Sequence, residues 1–145
     1  MQRLIVLSAV FMVSMAATAG EDDASKADLK KMQGKWRPIS IVADGKPQEV
    51  SPNSVYHFEG NKNIYDGSGK YFDVITLNAK SDPKELTFDN VQKDGPTTKG
   101  VKAIYRFDGD KLVLCVAPDP KAARPKTFES KEKSGHRLIT LERLK

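Results

Sequence analysis

The sequence contains a single cysteine, Cys115, so no disulfide can form within these 145 residues. A disulfide-stabilised scaffold is therefore excluded, and the fold has to depend on an ordinary hydrophobic core. Cys115 lies in the apolar stretch Leu112–Val116, which predicts a buried, unreactive thiol, with an intermolecular disulfide as the alternative. A role as a nucleophile is disfavoured, because His57 and His136 lie far away in the sequence and share no local motif with it.

Recognised catalytic and metal-binding motifs are also missing. The sequence has no Gly-x-Ser-x-Gly, no Walker loop, no dinucleotide fingerprint and no Cys/His/carboxylate spacing typical of a metal site. Asp73, Glu85 and Asp89 are strand carboxylates that could serve acid–base chemistry, but the water-facing side of a strand routinely carries such charges. We therefore predict that the protein is not an enzyme and has no cofactor and no metal.

A concentrated charge of one sign is lacking as well. The formal net charge is +5, and Lys30, Lys46, Lys62 and Lys121 are spread among acids, turns and loops. Nucleic-acid-binding proteins usually gather such charge on one face. The sequence therefore predicts a solvated surface and no nucleic-acid partner.

The one long apolar run, Leu4–Met15, follows Arg3 and precedes the small-residue site Ala17–Ala19. This pattern predicts a cleavable signal peptide over residues 1–19, with an uncleaved anchor as the alternative. The run is too short for a spanning helix, which needs about 20 residues. We expect a secreted or periplasmic domain over residues 20–145, with no stable membrane anchor after cleavage, because no cysteine near the site could carry a lipid.

Short strands and turns dominate the rest of the chain. A helix is predicted over Ser25–Gln33, with Ser25 as its N-terminal cap. The clearest strand unit is a hairpin over Val101–Val116 with its turn at Asp108–Asp110. Pro38 indicates an edge or a bulge in the first strand, and Thr127–Glu129 is a candidate short strand.

Eight or nine short strands with hairpin-length connections, and no alternation of strands with helices, favour an antiparallel sheet over a parallel one. Closure into a barrel removes the exposed edges of such a small sheet. The predicted fold class is therefore all-β, a small antiparallel barrel with a short N-terminal helix.

The opening Gly34-Lys35-Trp36 resembles the Gly-x-Trp signature of lipocalins. In that family the tryptophan packs at the closed end of the barrel, and an arginine of the last strand lies across it. The resemblance implies that Gly34, Trp36 and Arg143 form the barrel floor here.

The chain as a whole resembles an uncharacterised lipocalin-like domain family of planctomycete exported proteins. The matching stretches are Met32–Trp36, Asp44–Pro47, Tyr105–Leu112, Leu114-Cys115-Val116-Ala117-Pro118, Arg124-Pro125 with Phe128, and Ser134-Gly135-His136. Because that family has no established activity, the resemblance implies a fold rather than a function.

Two functional hypotheses follow. A small apolar or amphipathic ligand could bind inside the barrel; the candidate ligand-binding residues are Tyr56, Phe58, Tyr105, Phe107 and Leu114. The alternative is that these side chains simply fill the core of the barrel.

The second hypothesis concerns the loop Ala117–Phe128, which has three prolines and a basic character. Arg124 and Lys126 are its candidate contact residues for an acidic partner or an envelope polymer, which would make the protein an interaction or inhibitor module of the cell envelope. The alternative is a loop that merely covers the end of the barrel.

Overall fold

The computed structural model describes residues 22–65 and 71–145, which form one helix and nine strands. The elements are α1 (Asp23–Met32), β1 (Gly34–Ala43), β2 (Lys46–Gln48), β3 (Tyr56–Glu59), β4 (Lys62–Ile64), β5 (Tyr71–Asn78), β6 (Glu85–Gln92), β7 (Thr98–Asp108), β8 (Lys111–Val116) and β9 (Arg137–Arg143). The signal peptide predicted over residues 1–19 lies outside the described residues. Within them, no helix is long and apolar enough to cross a bilayer.

Eight strands close into an antiparallel barrel, and β2 is an additional strand paired with the end of β1. Strands β3 to β9 pair in chain order, and β1 closes the ring by pairing with both β3 and β9. This confirms the predicted all-β antiparallel barrel with a short N-terminal helix. Strand β2 was not predicted, and the candidate strand at Thr127–Glu129 is wrong because those residues lie in a loop.

The predicted hairpin over Val101–Val116 is confirmed. Tyr105 lies opposite Leu114 and Phe107 opposite Leu112, with a two-residue connection at Gly109 and Asp110. Gly109 has a φ of +61°, which the tight turn requires and which glycine adopts without steric cost. The apolar face of this hairpin forms one wall of the barrel interior.

Pro38 marks a bulge, as its lack of an N–H group predicts. The register between β1 and β9 shifts between Pro38 and Ser40, so Pro38 lies opposite Leu141 and Ser40 opposite Thr140. Such an irregularity bends the strand locally and lets β1 turn around the barrel.

Helix α1 begins earlier than predicted. Its N-terminal cap is Asp22, whose carboxylate accepts the backbone N–H of Ser25 at 2.9 Å, and this bond lowers the pKa of Asp22. Ser25 is instead buried in the first turn, and its hydroxyl accepts the backbone N–H of Ala79 at 3.0 Å. The predicted cap was wrong because Ser25 serves to join the helix to the sheet.

The end of the barrel beneath α1 is closed by Trp36. Its ring is 2% exposed, and its indole N–H donates to the Met32 carbonyl at 2.8 Å. The guanidinium of Arg143 lies over the ring. The geometry agrees with the barrel floor expected for Gly34, Trp36 and Arg143.

A buried ionic cluster also fixes α1 to the barrel. Asp28, which is 4% exposed, accepts hydrogen bonds from the Lys84 ammonium at 2.6 Å and the Tyr105 hydroxyl at 2.9 Å. Burial, and secondly the bond to Asp28, raise the pKa of Tyr105 far above its usual value. Helix and barrel therefore share a polar contact in which each buried group has a partner.

Candidate functional site

A cavity of about 290 Å³ lies at the barrel end opposite α1. The residues that line it lie at the strand ends farthest from α1. The lining residues are Tyr56, Tyr65, Asp73, Phe88, Asn90, Val101, Leu114, Val116, Arg137 and Ile139.

One side of this cavity is apolar. It is formed by Val101 of β7, Leu114 and Val116 of β8, and Ile139 of β9, with Phe88 of β6 beside them. These side chains face inward because they alternate along their strands with residues on the outer face. They offer van der Waals contact and no hydrogen bonds to a bound molecule.

The other side of the cavity is polar and centres on Asp73 of β5, which is 3% exposed. One carboxyl oxygen accepts a hydrogen bond from the Tyr65 hydroxyl, and the other accepts one from the Asn90 amide at 3.1 Å. The prediction that Asp73 lies on a water-facing side of its strand is therefore wrong. Asp73 shares its face of β5 with Ile75 and Leu77, both of which are buried in the core.

Two tyrosines flank this carboxyl group. The rings of Tyr56 and Tyr65 meet edge to face with 6.5 Å between their centres. Burial raises the pKa of Tyr65 well above its usual value, and the nearby Asp73 adds to the effect. Burial also raises the pKa of Tyr56, where Arg137 acts in the opposite direction and Asp73 in the same one. Both phenols are therefore neutral hydrogen-bonding groups, and Tyr56 lies within the fields of both charges that line the cavity.

Asn63 of β4 lies directly across from Asp73 in the sheet and is fully buried. A hydrogen-bonding contact from its side-chain amide lowers the pKa of Tyr65, so the amide nitrogen faces that hydroxyl. The amide oxygen has no hydrogen-bond partner among the residues the structure describes. A buried polar atom without a partner is costly, so this oxygen marks a place where a bound donor could supply one.

The structure divides the predicted ligand-binding residues into two groups. Tyr56 and Leu114 line the cavity. Phe58 and Tyr105 are fully buried in the core cluster, and Phe107 packs edge to face on Tyr105 near the closed end. Core filling describes the position of Phe58 and Tyr105, whereas Phe107 is half-buried against the core and lines a surface pocket beside Trp36.

The predicted loop contacts also differ from each other. Arg124 reaches back to the barrel wall, where its guanidinium donates to the carbonyls of Leu86 at 2.7 Å and Ala103 at 2.6 Å. A third bond, at 3.1 Å, joins it to the Thr87 hydroxyl. Lys126 is exposed and lines a surface groove of about 450 Å³. Arg124 therefore holds the loop in place, and Lys126 is the residue that a partner could contact.

Three side chains that could serve as a nucleophile or as metal ligands lie apart from the cavity. Cys115 is fully buried, which agrees with its prediction, and burial raises the pKa of its thiol. His57 and His136 are half-buried, and no set of three or more metal-ligating side chains occurs within residues 22–65 and 71–145.

Asp73, Asn63, Asn90, Tyr65 and Arg137 were missed by the sequence-based site prediction. The spacing of Asp73 from Ile75 and Leu77 is the signal that could have found it, because all three alternate onto one face of a strand. No protein-family model matches this chain, and neither a curated protein nor a solved structure does.

Proposed function

We propose that the protein binds a small amphipathic molecule in the cavity at the open end of its barrel. The observation that carries this proposal is the division of the cavity into an apolar wall and a polar wall centred on Asp73. Ligand pockets typically combine an apolar lining with a few placed polar groups. A barrel of this kind is compatible with a lipocalin-like ligand-binding domain.

The size of the cavity limits the ligand. Small-molecule sites usually measure about 300–1,000 Å³, so a cavity of about 290 Å³ suits a compact molecule or one short alkyl chain. Burial of apolar ligand surface against Val101, Val116 and Ile139 would stabilise the complex by about 25 cal/mol per Å². The proposed role is binding without catalysis, in an exported protein of the lipocalin-like family that the sequence resembles.

Fluorescence titration with N-phenyl-1-naphthylamine, a neutral apolar probe, tests the proposal. Val116→Trp fills the cavity from β8, and Ile39→Trp adds the same ring at a site that is 41% exposed and outside the cavity lining. We expect saturable binding by the wild type and by Ile39→Trp, and at least a tenfold loss of affinity in a folded Val116→Trp variant. Unchanged binding by folded Val116→Trp, or no binding by the wild type, would contradict the proposal.

A second candidate function is contact with an acidic partner through the surface groove beside the loop. Lys126, Lys131 and His136 line this groove together with Glu129. Charge reversal at Lys126 tests it without disturbing the fold, whereas Arg124 is unsuitable because it bonds the barrel wall. Capture of an acidic envelope protein should be lost in Lys126→Glu and kept in Lys121→Glu.

A further inference from the structure

We infer that the ligand of the barrel cavity carries a protonated amine, which binds against Asp73. This inference rests on the proposed function and specifies the polar end of its ligand. It follows from a comparison of the two aspartates that are buried among the described residues, Asp28 and Asp73, which are 4% and 3% exposed.

The two aspartates have the same kind of neutral partner, a tyrosine hydroxyl, but they differ in whether a positively charged side chain lies beside them. Asp28 accepts a hydrogen bond from a tyrosine hydroxyl, that of Tyr105, and pairs with the Lys84 ammonium at 2.6 Å. Asp73 accepts a tyrosine hydroxyl too, that of Tyr65, but no lysine, arginine or histidine nitrogen of the described residues lies within 4.0 Å of its carboxyl group. A ligand ammonium at Asp73 would take the place that Lys84 has at Asp28.

The hydrogen bonds that the Asp73 oxygens already accept indicate that a further partner would be a donor. Each oxygen accepts one hydrogen bond, from Tyr65 and from Asn90, and a carboxylate can accept more than these two bonds. Both existing donors are neutral groups. The remaining acceptor capacity of Asp73 therefore suits a further donor, and a positively charged donor makes the stronger hydrogen bond to a carboxyl oxygen.

Asn63 supplies an independent observation. Its amide is fully buried beside Asp73 and Tyr65, and its oxygen has no hydrogen-bond partner among the described residues. An ammonium group has three N–H donors, so it can bond the Asp73 carboxylate and the Asn63 amide oxygen together. A carboxylate head group could accept from the Asn63 amide N–H, but it would bring its acceptors against the acceptor oxygens of Asp73.

Among the described residues, Arg137 is a positive charge that also lines the cavity. It belongs to β9 on the side opposite β5, and it is exposed at the mouth, where water screens its charge. Because Arg137 could attract an anionic ligand, the test includes one.

Isothermal titration calorimetry at pH 7 with n-octylamine, 1-octanol and octanoate compares three head groups on one alkyl chain. The amine is protonated at this pH, as a lysine side chain is. We expect the wild type to bind n-octylamine at least tenfold more tightly than 1-octanol, and octanoate more weakly than both. Asp73→Asn should lose this preference. Asp110→Asn, which removes the same charge from an exposed turn, should keep it.

The outcomes separate the inference from the proposed function. If 1-octanol or octanoate binds the wild type as tightly as n-octylamine does, the amine inference is wrong and ligand binding stands. Retention of the amine preference in a folded Asp73→Asn variant would also overturn it. If none of the three binds although N-phenyl-1-naphthylamine does, the amine inference is wrong and ligand binding stands; if N-phenyl-1-naphthylamine does not bind, the proposed function itself fails. The comparison of ligands on the wild type needs no variant to fold.

Discussion

The guanidinium carbon of Arg143 lies 4.2 Å from the centre of the Trp36 ring, at the closed end of the barrel. The same guanidinium donates to the carbonyl oxygens of Gln33 and Lys31 at the end of α1. One side chain of the last strand therefore contacts the first strand and the helix. This contact joins the barrel closure between β1 and β9 to the docking of α1.

Trp36→Ala should be among the most destabilising substitutions in the protein. The ring is buried among core residues and makes the hydrogen bond to Met32, so its removal leaves a large cavity beneath α1. We expect a loss of about 3–5 kcal/mol in the free energy of unfolding, measured by urea denaturation. A stability close to that of the wild type would contradict the assignment of Trp36 to the barrel floor.

Gly34→Ala should destabilise the protein for two reasons. Gly34 has a φ of +106°, and an added Cβ atom would lie 3.1 Å from the guanidinium of Arg143. Gly100→Ala is the matched control, since its φ is +84° and nothing lies within 4 Å of the added atom. Strained backbone costs about 1–3 kcal/mol at either site, and we expect Gly34→Ala to lose more stability than Gly100→Ala. Equal losses would show that the contact with Arg143 adds nothing.

The hairpin was predictable from a local signal, because β7 and β8 alternate regularly around the turn at Gly109. The barrel floor was expected from the resemblance of Gly34-Lys35-Trp36 to the Gly-x-Trp signature. The bulge at Pro38 was predictable for a similar reason, since proline lacks the N–H that a regular ladder needs.

The polar wall of the cavity could not be predicted in the same way. Asp73 and Asn90 are brought together by the pairing of β5 with β6, and Arg137 comes from the other side of the barrel. A polar residue in a strand usually indicates the solvent-facing side, so local patterning favours the wrong face for Asp73. Only the closed barrel shows that these groups share one interior.

Tyr105→Phe should make stability less sensitive to alkaline pH. The pKa of Tyr105 is raised in the folded protein, mainly by burial, so its stabilising contribution is full below the unfolded pKa of about 10 and is lost as the pH rises above it. We expect the urea midpoint of the wild type to fall more between pH 9 and pH 11 than that of the variant. Lysine titration affects both proteins, and parallel pH profiles would contradict the prediction.

Cys115 should not react with Ellman's reagent in the folded protein. The thiol is fully buried and lies 3.5 Å from the carbonyl oxygen of Glu129, and burial raises its pKa, so little reactive thiolate is available. We expect one equivalent of thiol to react at pH 8 in 6 M guanidinium chloride, and less than a tenth of that on the same timescale without denaturant. Rapid labelling of the native protein would show that the strand around Cys115 opens readily.

Arg124→Ala and Lys126→Ala should have different effects although the two residues are close in the same loop. Arg124 donates to the carbonyl oxygens of Leu86 and Ala103 on two neighbouring strands, and hydrogen bonds to a charged group are worth about 1.5–3 kcal/mol. Lys126 is exposed, so its loss should change stability by no more than about 0.5 kcal/mol. Thermal unfolding of the two variants compares them directly. Equal melting temperatures would mean that Arg124 does not hold the loop against the barrel.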